Sequence, residues 1–209
     1  RVVPESLRRF RGFGPVTTRP FTKPLVQNQT GAPRVILFIG HHKTGTSTLQ
    51  DFLSRNALAL LRAGVLYPSV ETQGHSLMLA TALRGHDPES TLPINLREAH
   101  NALAFRMISE VTKQPPPAFH SNLPASAQML LAIRHQIAAL KPHTVILCAE
   151  VFSNFAVAAP RMIGRLRKTF QGSDVTLMAT LRRPDEYLVS WEGQRMRFGM
   201  SGAPLNTAK

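Results

Sequence analysis

Residues 35–50 read VILFIGHHKTGTSTLQ. The first five are an apolar run rich in β-branched residues, the pattern of a parallel strand covered on both faces. Gly40 ends it. A short polar loop leads to Gly45. The apolar residues Leu49, Phe52, Leu53, Ala57, Leu60 and Leu61 then recur at helical spacing, which predicts a helix over Thr46–Arg62 with its apolar stripe on the core. Strand, glycine-bearing loop and helix in that order build an anion site. Backbone N–H groups of the loop and of the helix N-terminus converge on one spot, and the macrodipole favours negative charge there. Lys43 adds a full positive charge. The hydroxyls of Thr44, Thr46, Ser47 and Thr48 add hydrogen-bond donors.

The spacing excludes the commonest phosphate loop. A Walker A loop has glycine, four residues, then Gly-Lys-Ser/Thr. Gly40 and Gly45 have the right separation, but Thr46 stands where the lysine belongs, and Lys43 comes before the second glycine.

Farther along, Thr144–Ala149 (TVILCA) reads as a second buried strand and Val175–Leu181 as a third. Pro184 suits the first turn of a last helix. Helical spacing recurs at 75–84, 96–112 and 125–140, and Pro160–Thr169 reads as a basic helix. A short extended piece, Val65–Tyr67, follows Gly64, which reads as the C′ residue that ends the helix. Strands alternating with helices give an α/β fold: three layers, a mainly parallel central sheet flanked by helices, P-loop-like.

At 209 residues and 43% hydrophobic content the chain is one domain's worth with material for a sizeable core. No apolar run approaches the ~20 residues of a membrane span. No secretory pattern opens the chain, so a cytoplasmic location is expected, although residue 1 is arginine rather than methionine. One cysteine rules out an internal disulfide framework. Cys148, inside the apolar strand, reads as a buried, inert thiol. No Cys/His set has zinc-ligand spacing. The formal charge is +13, from 25 Lys+Arg against 12 Asp+Glu. Residues 1–34 carry Arg1, Arg8, Arg9, Arg11, Arg19, Lys23 and Arg34 against Glu5 alone, with Pro and Gly throughout. They read as a basic, loosely ordered arm ahead of a domain over 35–209. Aromatics interleaved with basic residues are scarce, so no nucleic-acid partner is expected.

The segment His42-Lys43-Thr44-Gly45-Thr46-Ser47-Thr48-Leu49 resembles the 5′-phosphosulfate loop of sulfotransferases that use 3′-phosphoadenosine 5′-phosphosulfate (PAPS), of the bacterial and carbohydrate type. A second segment agrees. Within VTLMATLRRPDEYLVSWEGQ (175–194), Arg182-Arg183-Pro184 with Ser190 eight residues after Arg182 is similar to that family's 3′-phosphate-binding strand–turn–helix. The resemblance implies PAPS as sulfuryl donor, no metal, and a hydroxyl-bearing acceptor (a carbohydrate among the candidates) or an amine. It implies that His42, Lys43, Thr44, Gly45, Thr46, Ser47 and Thr48 hold the 5′ end, with Lys43 also on the leaving oxygen, and that Arg182 and Ser190 hold the 3′-phosphate. Arg183 departs from the family's usual asparagine. The family also continues with further helices and a late glycine-containing loop. Nothing before Lys209 matches that loop, which reads as an incomplete chain or a shortened variant.

Transfer to a hydroxyl needs a base. Glu150 directly follows TVILCA, at the carboxyl edge of the sheet where α/β ligand sites open, and carbohydrate-type sulfotransferases commonly use glutamate. His75, in GHSLML, is the second candidate, since small-molecule sulfotransferases often use histidine. His41 and His42 flank the loop. Two other functions stay open on the sequence: a P-loop-type nucleotide kinase or NTPase, and a non-catalytic polyanion-binding domain. The misplaced lysine and the missing strand-terminal aspartate speak against the first.

Overall fold

A computed structural model describes residues 31–85, 91–197 and 199. The arm expected over 1–34 lies outside them up to residue 30. Four parallel strands form the sheet of the described residues, in the order β2-β3-β1-β4. They are β1 (Arg34–Phe38), β2 (Val65–Leu66), β3 (Thr144–Cys148) and β4 (Val175–Met178). β1 is central and pairs with both β3 and β4. Its register sets Phe38 opposite Cys148 on one side and Met178 on the other.

Side-chain alternation sends the two faces of the sheet into separate cores. Val35, Val145 and Leu147 face a large cluster with Leu103, Met107, Met129, Ile133 and Phe155. These come from α5 (Ala99–Thr112), α6 (Ser126–Leu140) and α7 (Phe155–Ala158). Phe38 and Cys148 face the other way, onto Leu53, Leu49, Ala57 and Leu60. The result is the three-layer α/β arrangement the alternation of elements predicts.

The first helix is not continuous. It divides into α1 (Thr46–Arg55) and α2 (Ala57–Arg62) at Asn56, whose side-chain amide donates to the Phe52 carbonyl at 2.8 Å. A short polar side chain that bonds its own backbone competes with the helix ladder. Phe52, expected on the core, is 57% exposed; Leu53 takes the inward position. The helix expected over 96–112 is likewise divided, into α4 (Ile94–Arg97) and α5, at Glu98. That carboxylate turns to Arg97 and Asn101. The stretch 75–84 belongs to a longer helix, α3 (Thr72–Arg84). The segment 160–169 forms the expected basic helix, α8 (Pro160–Thr169), with Met162 and Leu166 buried. β4 ends at Met178, three residues short of the expected Leu181, and the last helix, α9 (Pro184–Arg197), starts at the proline. No helix among the described residues is long and apolar enough to cross a membrane.

Candidate functional site

The loop between β1 and α1 winds through three left-handed residues: Gly40 at φ 30, Lys43 at φ 68 and Gly45 at φ 84. Gly45 is the N-cap of α1, and no side chain caps that helix. A Cβ on Gly45 would meet nothing within 4 Å, so its glycine answers to backbone conformation and not to crowding. Gly40 is different. A Cβ there would lie 2.7 Å from the Phe38 ring and 2.8 Å from the Thr46 methyl. Successive N–H groups in such a winding turn form a concave, anion-binding nest at the helix N-terminus.

The side chains of the loop divide by burial. Thr46 is buried, its methyl under Gly40, whereas Ser47 and Thr48 are exposed in the first turn. The Thr44 hydroxyl, expected as a donor to the ligand, gives its one proton to the His41 carbonyl at 2.6 Å and accepts from Thr180 at 2.8 Å. It ties the loop to the segment after β4, which leaves the backbone N–H as Thr44's donor.

That second tie extends to arginine. Arg182 Nη1 donates to the Lys43 carbonyl at 3.1 Å, across 139 residues of sequence. Its Nε pairs with Glu186 at 3.2 Å, an exposed pair of small energetic weight. Arg182 and Ser190 line one open hollow of about 430 Å³ with Asp185, Glu186 and Val189. Arg183 pairs with Asp185.

Rings close the other flank of the loop. The His41 ring meets Tyr187 edge to face at 4.7 Å, and His42 lies 6.2 Å from Trp191. Tyr187 and Trp191 are stacked at 6.3 Å, one turn apart on α9. Burial lowers the His42 pKa from the ordinary 6.5; Glu150 opposes that, and His41 and Lys43 add to it.

Glu150 opens a 3₁₀ turn, Glu150–Asn154, directly after β3. Both of its oxygens are held. Gln50 Nε2 donates to one at 2.7 Å, and Asn101 Nδ2 to the other at 3.2 Å. Gln50 lies on α1, one turn past the loop between β1 and α1, so the helix that follows the loop also holds the Glu150 carboxylate. Glu98 and Arg97 extend the network. Beneath it His100 is fully buried. Its Nε2–H donates to the Pro68 carbonyl at 2.9 Å, and its Nδ1 accepts the Cys148 N–H at 3.0 Å. Burial holds its pKa at about 4. The Cys148 thiol, fully enclosed, is pushed up to about 12 by burial and by Glu150. It is the inert thiol expected.

The fold therefore gathers His42 to Thr48, Glu150, Arg182 and Ser190 along the carboxyl edge of β3, β1 and β4. His75 stands apart. It lies on α3, and no hydrogen bond, ion pair or ring contact among the described residues joins its imidazole to the loop. Gln50, Asn101 and His100 went unread in the sequence. A signal was there: Asn101 and His100 interrupt the apolar run AHNALA on the inner side of α5, and a polar residue there needs a partner. No family model matches the chain, and comparisons with curated proteins and with solved structures give no match.

Proposed function

We propose that this chain is a sulfuryl-transfer domain that binds PAPS across the carboxyl edge of its sheet. The observation that carries the reading is the hydrogen bond from Arg182 to the Lys43 carbonyl. It joins two candidate anion sites that lie far apart in sequence. The nest at Lys43–Thr48 would hold the 5′ end, with N–H donors from the uncapped first turn of α1. Arg182 and Ser190 would hold the 3′-phosphate, the arginine through its planar fork. PAPS, when bound, supplies the sulfuryl group and a phosphate leaving group. Lys43 would neutralise the charge that grows on that leaving oxygen, the role expected of a positioned cation. Glu150 gives the site its acidic member, beside the loop and fixed by two amides. The acceptor would be a hydroxyl compound, with carbohydrates in that class, or an amine.

The test is calorimetric titration with 3′,5′-ADP, 5′-AMP and ATP. Tight binding of 3′,5′-ADP with weak binding of ATP is expected. Lys43→Ala should weaken 3′,5′-ADP and reduce sulfuryl transfer about 10²–10³-fold. A preference for ATP would turn the assignment towards a kinase or NTPase. Affinity for long polyanions that survives Lys43→Ala would turn it towards the binding domain.

A further inference from the structure

A second cavity shares no lining residue with the loop between β1 and α1. It lies among α1, α2, α3 and α4 and holds about 440 Å³. Small-molecule sites commonly measure about 300–1,000 Å³. From α3 it is lined by Gly74, Leu77, Met78, Thr81 and Arg84. Residues spaced by three and four positions form one helix face, and Gly74 and Arg84 lie about 15 Å apart along the axis. The space is therefore elongated. Gly74 closes one end of it: a Cβ there would lie 2.6 Å from the Ser69 Cβ and 3.4 Å from Leu96. Leu58, Val70 and Leu96 add apolar wall from α2, the turn before α3 and α4.

Most polar side chains of the lining are already engaged. The Ser54 hydroxyl donates to the Leu96 carbonyl at 2.8 Å, and that of Thr81 to the Leu77 carbonyl at 2.9 Å. Ser69 donates its N–H and its hydroxyl to Gln136. Arg55 pairs with Asp51 at 2.9 Å. Two groups differ. Tyr67, two residues before Ser69, is buried and held edge-on to His100 at 4.5 Å. Its hydroxyl is enclosed and has no hydrogen-bond partner among the described residues. An enclosed donor without an acceptor is a penalty that a ligand oxygen removes. Arg84, in the last turn of α3 at the other end, is exposed and has no ion pair among the described residues. No carboxylate lines the cavity among those residues, so its charge is positive.

We infer that this cavity binds an elongated organic anion, a medium-chain carboxylate with an oxygen at its far end. The carboxylate head meets Arg84 at the exposed end of α3. The chain lies along Leu77 and Met78, against Leu58 and Leu96, and the burial of its methylenes drives binding. The far oxygen accepts the Tyr67 hydroxyl. A run of about 15 Å along α3 suits roughly ten carbons. The binding is noncovalent, and it stands apart from the sulfuryl-transfer reading.

The experiment is calorimetric titration of the full chain with decanoate, ω-hydroxydecanoate and decanol, each below its micelle or solubility limit. In the wild type, ω-hydroxydecanoate should bind about 2- to 10-fold more tightly than decanoate, the gain from one net hydrogen bond. Decanol, which lacks the anion, should bind more weakly than ω-hydroxydecanoate. Arg84→Ala should weaken both carboxylates about 2- to 5-fold, the range for an exposed ion pair, and leave decanol unchanged. Tyr67→Phe keeps the ring and its packing; it should erase the advantage of ω-hydroxydecanoate and leave decanoate unchanged. No saturable binding of ω-hydroxydecanoate to the wild type overturns the proposal. So does decanol that matches it, or an Arg84→Ala variant that binds both carboxylates normally. An advantage absent from the wild type, or one that survives Tyr67→Phe, overturns the oxygenated end and with it the ligand class. A loss on Arg167→Ala with none on Arg84→Ala would put the anion in the groove beside α8, which Arg167 lines, and overturn the site.

Discussion

β3 and β4 are both apolar runs, both pair in parallel with β1, and the fold treats them in opposite ways. Val145, Leu147 and Cys148 of β3 have no exposed surface, whereas Leu177 and Met178 of β4 are 63% and 48% exposed. α5, α6 and the turn after β3 cover one strand. Beside the other lies an open groove of about 910 Å³, rimmed by Ile163, Arg167 and Lys168 of α8. The two candidate phosphate grips divide along that line. Lys43 and its nest rise from packed β1, and Arg182 and Ser190 hang from the exposed strand and its helix. A continuous apolar run thus reads as a parallel strand in sequence, but its coverage depends on which other elements reach it.

Truncation in the two strands is the strongest way to break this contrast. Leu147→Ala should cost about 2–5 kcal/mol in urea unfolding, the lost transfer energy plus the cavity left behind. A cost near zero would mean the β3 side is as loose as the β4 side.

The buried histidine under the packed half gives the next effect. His100 titrates at about 4 in the folded chain against 6.5 when unfolded. Between those values the unfolded chain binds the extra proton, so stability rises with pH there. The contribution is complete above about pH 6.5 and is lost as pH falls towards 4, a change of roughly 3 kcal/mol. Urea midpoints from pH 7 to pH 4.5 should fall in the wild type and fall less steeply in His100→Gln. Parallel slopes would remove His100 as the cause.

On the exposed half, Arg182→Ala should erase most of the preference for 3′,5′-ADP over 5′-AMP. A charge-assisted bond is worth about 1.5–3 kcal/mol, or roughly 10- to 100-fold in affinity. Equal affinities in the wild type would detach Arg182 and Ser190 from a 3′-phosphate. The smallest effect is expected at Leu177→Ala, within about 0.5 kcal/mol of wild type. A loss as large as that of Leu147→Ala would show a covered strand.

Much of this was legible because it is local. The strand–loop–helix at 35–55 and the strand–turn–helix at 175–197 are each written in a continuous stretch, and Pro184 marks a helix start that the fold uses. The meeting of Arg182 with Lys43, and of Gln50 and Asn101 with Glu150, is written nowhere locally. These contacts span 139, 100 and 49 residues and depend on which strands become neighbours. The breaks at Asn56 and Glu98 were hidden for a related reason. Apolar periodicity runs straight through both, and only a polar side chain with another partner interrupts the helix. The place of the second base candidate was hidden on similar grounds: His75 lies on α3, which packs beside α2.

The ring pair at the loop also has an optical consequence. Trp191 is the chain's sole tryptophan, and it lies 6.2 Å from the imidazole of His42. A protonated imidazole quenches a neighbouring excited indole by accepting its electron, and a neutral one does so far less. Emission from Trp191 should therefore dim as His42 takes up a proton. The molecule carries, without any dye, an optical record of the charge on the loop between β1 and α1.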